Sequence, residues 1–327
     1  MHMNASPKQL LKAALEKDLA AIDAALDANL RTHVPLIAEV GRHILLSGGK
    51  RVRPLLFILA ARMCGHQGDH LADFSTIFEY LHAATLLHDD VIDAAQLRRG
   101  ATTANNIWGN QAVILVGDFL LAKALSIAVT TDYLKILKVL AQATTQMAEG
   151  EILQLIHTGD LKITEAEYFE VITSKTAILM AAACQIGAIL AGAPPAQEEA
   201  LARLGLHLGI TFQLVDDLLD FTGDQGEIGK EVGADLREGR VTLPLIHALA
   251  QAGPGDRQRL QELAQGLTPE TAPELRRLLD RYGSLEHSRS LARQHTLKAQ
   301  EDLEIFGPCL ESTYFRLITE ELLARTH

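Results

Sequence analysis

The chain has 327 residues, of which 48% are hydrophobic and 22% charged, enough apolar material for a large core and far from a disordered composition. Aromatic residues make up only 5%, and Ala and Leu recur throughout, which favours helix over sheet. A formal charge of -11 argues against general nucleic-acid binding, while three widely spaced cysteines (Cys64, Cys184, Cys309) offer neither a disulfide framework nor metal-ligand spacing and fit a reducing cytoplasm.

In chain order, apolar residues at spacings of three and four predict helices over 8–30, 34–46, 52–64, 70–93, 110–129, 133–158, 165–192, 197–221, 241–252, 256–265, 270–281 and 284–305. Breaks fall at Gly48-Gly49, Gly65 to Gly68, Pro194-Pro195, Gly253-Pro254-Gly255 and Pro273. The first thirty residues lack the layout of a signal peptide, and the apolar run Ala177–Ala193 reads as a buried helix. Strand-like alternation is scarce, and the short connections predict one all-α domain over 1–327. The connection Thr222–Gly239 stands apart: five glycines and seven charged residues make it either a solvated linker or a mobile lid over a charged ligand.

Two Asp-Asp-x-x-Asp motifs, Asp89-Asp90-Val-Ile-Asp93 and Asp216-Asp217-Leu-Leu-Asp220, lie in strongly apolar helical stretches. Within each, the first and last aspartates are one helical turn apart, about 6 Å along the axis on one face. Hard cations take oxygen ligands, and Mg²⁺ usually combines one or two carboxylates with phosphate oxygens and water. The alternative is a solvated acidic face, but paired carboxylates at the edge of a core repel one another unless a cation intervenes. The cluster Gly48-Gly-Lys-Arg-Val-Arg-Pro54 puts Lys50, Arg51 and Arg53 at a helix start, where side chains and backbone N–H groups can hold a diphosphate or simply face solvent. Arg98-Arg99 adds a second basic pair, and His82, two turns before Asp89, is either a packing residue or a phosphate donor.

Taken together, Gly48–Pro54, Leu81–Asp93, Arg98-Arg99-Gly100, Lys175-Thr176-Ala177, Phe212–Asp220 and Gly229-Lys230 resemble the trans-prenyl diphosphate synthases (polyprenyl synthetases), most closely the long-chain octaprenyl type. The resemblance implies an all-helical, isoprenoid-synthase-like bundle around a large central cavity, usually as a homodimer. It implies a transferase that condenses isopentenyl diphosphate with an allylic diphosphate of farnesyl or geranyl type, releasing diphosphate. By motif position, Lys50, Arg53, His82 and Arg99 would hold isopentenyl diphosphate, and Arg98, Lys175, Thr176, Gln213 and Lys230 would contact the allylic diphosphate. Asp89, Asp93 and Asp216 would be the leading ligands of three Mg²⁺ ions, with Asp90, Asp217 and Asp220 in support. Product length in the family is limited by bulky residues four or five positions before the first motif; here these are Thr85 and Ala84, both small, which points to a long product. Tyr80, one turn deeper, is either a lower floor or a residue facing a neighbouring helix. A geranylgeranyl or farnesyl diphosphate synthase is the alternative, and a class I terpene cyclase fits the second Asp-Asp-x-x-Asp poorly.

Overall fold

The structure, a computed structural model, describes residues 7–98, 100–222 and 233–325. Helices account for 78% of it, and the sole sheet among the described residues is a two-stranded hairpin. In chain order the main elements are α1 (Pro7–Asn29), α2 (Pro35–Leu46), α3 (Val52–Met63), α4 (Leu71–Ile92), the strands β1 (Leu97–Arg98) and β2 (Ala101–Thr102), α5 (Ala104–Trp108) and α6 (Asn110–Val129). Then follow α7 (Leu134–Ile156), α8 (Glu165–Ile172), a π-helical turn (Thr173–Ala177), α9 (Ile178–Leu190) and α10 (Pro195–Thr222). The chain closes with α11 (Ala234–Arg237), α12 (Leu243–Gln251), α13 (Pro254–Gln265), α14 (Ala272–Arg281), α15 (Ser284–Glu301), a 3₁₀ turn (Glu304–Phe306) and α16 (Leu310–Ala324).

Two compact units share these elements. One comprises Met1–Ala141, Ala182–Ala202 and Ile305–Leu317; the other comprises Gln142–Ala181, Arg203–Glu304 and Ile318–His327. Within the first, α3 is hydrophobic all round, and Pro54 to Ala61 are buried without interruption, as expected of a helix enclosed on every side. Phe57 packs against Phe78 of α4 with ring centroids 5.4 Å apart, and α4 also packs on α1 and α6. In the second unit, Leu214, Val215, Leu218 and Phe221 of α10 share a core with Leu243, Leu245, Leu260, Leu275 and Leu279.

The predicted helices match most of the observed ones, with five departures. The span 165–192 is interrupted by the π-helical turn. Within the predicted loop 222–239, Ala234–Arg237 is helical with Leu236 buried, so part of that segment packs as core after all; residues 223–232 lie outside the described ones. The β1–β2 hairpin, α5 and α16 were not anticipated.

Two helical stretches, Asn110–Val129 and Glu165–Leu190, are long and apolar enough to cross a membrane by length and composition. The second is two-thirds buried within the fold, as the helix through 177–193 was expected to be. The first leaves Ile114, Leu115, Leu121, Leu125 and Val129 exposed, at spacings that make a stripe along α6.

A pH dependence is built into the second unit. His295 on α15 stacks on Phe169 at 5.9 Å and hydrogen bonds His207, ring nitrogen to ring nitrogen, at 3.1 Å. Burial, reinforced by the neighbouring His207 and Lys298, pushes the His295 imidazole down to about 4. Between that value and the ordinary 6.5, the unfolded chain binds more protons than the folded one, so stability falls as pH drops through this window. The expected result is that His295→Gln loses less stability than wild type between pH 7.5 and pH 5, read from urea midpoints, because it lacks this proton uptake on unfolding.

Candidate active site

Each unit carries one aspartate motif, and in both the middle aspartate points inward while the first stays accessible. Asp90, 1% exposed, accepts hydrogen bonds from Arg98 Nε at 2.9 Å and Nη2 at 2.8 Å. The β1–β2 hairpin brings Arg98 back over the end of α4, and Asn105 Nδ2 donates to the Asp90 carbonyl at 3.2 Å. Asp89 is half-buried and Asp93, the residue that ends α4, is exposed. Arg98 is thus engaged by the motif's own carboxylate, with a third of its side chain still accessible.

In the second motif Asp216 is exposed and Asp217 is buried. Tyr168 Oη donates to Asp217 Oδ2 at 2.6 Å, and Gln213 Nε2 donates to Oδ1 at 2.7 Å. Thr176 Oγ1 in turn donates to Gln213 Oε1 at 3.1 Å, so two of the residues expected to touch the allylic diphosphate are joined in one chain of hydrogen bonds. Burial, with help from the nearby Asp235 carboxylate, pushes Asp217 up to about 8 against the pull of its two donors. Lys175 lies within 2.6 Å of Glu151 on α7. Asp220 accepts the backbone N–H groups of Ala234 at 2.9 Å and Asp235 at 3.3 Å, anchoring the start of α11.

The basic cluster divides in a way its composition does not reveal. Arg51 has φ 49° and ψ 36°, in the left-handed region, and its side chain turns into the fold. Nε donates to Asp23 at 2.7 Å, Nη1 to Glu79 at 2.8 Å and Nη2 to the Leu45 carbonyl at 2.5 Å. Arg51 is therefore a structural cation and leaves the set that could hold a diphosphate. Lys50 stays exposed, while Arg53 and His82 are half-buried. Arg99 and Lys230 lie outside the described residues.

Ala84 is 3% exposed, and Thr85 donates its hydroxyl to the His82 carbonyl at 2.8 Å. Tyr80 is wholly buried, with Oη donating to the Leu26 carbonyl of α1 at 2.7 Å.

Residues that the sequence reading passed over are Tyr168, Glu151 and Asn105. Each meets its partner across a long stretch of chain, and nothing in its own neighbourhood marks it out. Thr164 and Glu167, which form a capping box at the start of α8, are the one local signal that precedes Tyr168.

Among the described residues, no three His, Cys, Asp or Glu side chains gather into a self-contained metal site. The accessible carboxylates of the two motifs are hard oxygen donors, the kind Mg²⁺ takes together with phosphate oxygens and water.

An all-helical protein with a doubled Asp-Asp-x-x-Asp motif and a cationic helix start falls in the prenyltransferase class. The sequence profile described as polyprenyl synthetase matches residues 34–281, and the chain belongs to that family. It is 42% identical over 290 residues to the octaprenyl diphosphate synthase of Escherichia coli (strain K12), covering 88% of this chain and 90% of that protein. It is 40% identical over 310 residues to the all-trans-nonaprenyl-diphosphate synthase (geranyl-diphosphate specific) of Rhodobacter capsulatus, covering 94% of each. The crystal structure of a polyprenyl synthase from Caulobacter crescentus CB15, complexed with calcium and isoprenyl diphosphate, superposes with a TM-score of 0.91 at 37% identity over the whole of both chains.

Proposed function

We propose that this protein is a Mg²⁺-dependent trans-polyprenyl diphosphate synthase acting as one domain over residues 1–327. It extends a farnesyl or geranyl type of allylic diphosphate with isopentenyl diphosphate to a long all-trans chain. The observation that carries this reading is the shared build of the two motifs, in which a buried middle aspartate is fixed by the fold and the first is left accessible.

Asp89, Asp93 and Asp216 would hold the Mg²⁺ ions, three in all, together with the allylic diphosphate. Bound Mg²⁺ supplies positive charge where the departing diphosphate accumulates negative charge. Arg98, Lys175, Thr176, Gln213 and Lys230 orient that diphosphate and add hydrogen bonds that strengthen as the C–O bond breaks. Lys50, Arg53, His82 and Arg99 hold isopentenyl diphosphate so that its double bond reaches the allylic carbon. The proton lost after C–C bond formation can pass to the released diphosphate, so no protein nucleophile is required. Removal of divalent cations with EDTA should abolish elongation, and added Mg²⁺ should restore it; activity that survives chelation would contradict the metal assignment.

Product length is argued from burial energy. Each isoprene unit adds about five carbons, worth up to about 4 kcal/mol on burial, so binding favours growth until a bulky residue stops it. Ala84 and Thr85 provide no such bulk, and the two relatives described above, at 40% identity or more, are an octaprenyl and a nonaprenyl diphosphate synthase. Ala84→Phe is expected to shift products to shorter lengths while the first condensation continues. Chromatographic sizing of radiolabelled products checks this, with a melting curve to confirm folding; an unchanged distribution would remove Ala84 from the length-setting positions.

The exposed apolar stripe of α6 supports a homodimer, since a surface of this kind is normally covered. The unpaired cysteines support a cytoplasmic setting.

A further inference from the structure

We propose that Tyr168 is a positioning residue for the second aspartate motif, brought to its task by the π-helical turn at Thr173–Ala177. The inference rests on the prenyl synthase reading and adds to it a residue outside the six motifs.

Tyr168 and Thr176 both reach the α10 carboxylate system, one directly at Asp217 and one through Gln213. They are eight residues apart in a single helical run. In an unbroken α-helix eight residues turn the side chain through about 800°, leaving the two about 80° out of line. A π-helical turn absorbs one extra residue, taking back about 100° and placing them within about 20° of the same face. The interruption therefore converts two misaligned side chains into a two-point grip on α10.

The neighbours are shaped to accept this turn. A Cβ added at Gly209 of α10 would lie 2.4 Å from Ala177 Cα, and one at Gly150 of α7 would lie 2.5 Å from the Lys175 backbone nitrogen. Both helices thus press glycine against backbone of the widened turn. The start of α8 is also fixed: Thr164 Oγ1 accepts from the Glu167 N–H at 3.2 Å, and Glu167 Oε2 accepts from the Thr164 N–H at 2.8 Å. Tyr168 is the next residue. Capped at one end and wedged at the other, the segment holds the phenol rigidly against Asp217.

The consequence is a fixed rotation of α10 about its axis. With Asp217 held inward by Tyr168 and Gln213, Asp216 is left exposed. Without the phenol hydroxyl, Asp217 keeps a single side-chain donor in a buried place, and the carboxylate and the helix that bears it can reorient.

Tyr168→Phe tests this, because it removes the hydroxyl and keeps the ring. Elongation is measured with farnesyl and isopentenyl diphosphate while Mg²⁺ is varied. Loss of one hydrogen bond to a buried carboxyl group predicts a fall in kcat of about tenfold and a several-fold rise in the Mg²⁺ concentration for half-activity. KM for isopentenyl diphosphate should stay within about twofold, since no residue assigned to that substrate is touched. Calorimetry with inorganic diphosphate and Mg²⁺, independent of turnover, should show weaker binding. In an Asp217→Asn background the same Tyr168→Phe change should lower kcat by less than about twofold, because its target is already altered. An equal factor in both backgrounds, or a single variant indistinguishable from wild type, would overturn the proposal. Should Tyr168→Phe unfold, the double variant leaves no buried carboxylate short of a donor; recovery of folding supports the proposal and continued unfolding contradicts it. Failure of wild type to elongate would instead sink the underlying activity, so the two failures are distinct.

Discussion

Replacing Asp89 or Asp216 with Asn is expected to lower kcat by about 10²–10³-fold, the range seen when one preorganised electrostatic group is lost, with little change in stability. The expectation follows from how each motif divides its labour. Asp90 and Asp217 take the structural hydrogen bonds, from Arg98 and from Tyr168 with Gln213. Asp89 is half-buried and Asp216 exposed, so each is more accessible than the middle carboxylate of its motif. Losing a charge there should weaken Mg²⁺–diphosphate capture and leave the helices in place. Asp90→Ala should behave differently, because it strips Arg98 of its buried partner and costs stability as well as rate. Steady-state kinetics at saturating Mg²⁺, paired with urea midpoints, separate the two patterns. A kcat within tenfold of wild type for both Asn variants would mean that these aspartates do not carry the chemistry.

The largest stability effect is expected at Arg51. Its guanidinium is 5% exposed and bonds Glu79, Asp23 and the Leu45 carbonyl, while the Glu79 side chain is 12% exposed. Arg51→Met would leave the Glu79 carboxylate buried without its cation, which typically costs about 3–5 kcal/mol. The left-handed backbone at residue 51 adds a second consequence. A non-glycine residue there stores about 1–2 kcal/mol of strain, tolerated because the three side-chain bonds hold it. Once they are gone the backbone can relax, and the neighbours Lys50 and Arg53 lose the register that the turn imposes. The expected result is a large drop in the denaturation midpoint with a raised KM for isopentenyl diphosphate. Arg51→Met combined with Glu79→Leu should recover much of the stability, since no charge is then stranded. No recovery would show that the pair is not the source of the loss.

Much of the helical layout was legible because an apolar stripe repeats every three to four residues wherever a helix covers a core, as at Leu214, Val215, Leu218 and Phe221. The candidate chemistry was legible because carboxylates one turn apart and cations at a helix start are local patterns. What escaped was non-local or depended on one dihedral angle. Lys50, Arg51 and Arg53 read alike as cations, yet the positive φ at Arg51 sends the middle one into the fold. Tyr168 reads as an ordinary core aromatic, because its partner Asp217 lies 49 residues on. The π-helical turn has no signature of its own; its register is imposed by backbone contact at Gly150 and Gly209. For α16 a signal was present, with Phe315, Ile318 and Leu322 buried at helical spacing just after the Gly307-Pro308 break.

The central claim is long-chain elongation, and product sizing tests it most directly. Purified protein is incubated with Mg²⁺, labelled isopentenyl diphosphate and farnesyl diphosphate, and the dephosphorylated products are resolved by length. The account predicts all-trans chains of about eight isoprene units, or about forty carbons at five per unit. A chain that elongates no allylic primer, or whose products stop at about fifteen or twenty carbons by the same count, would contradict it.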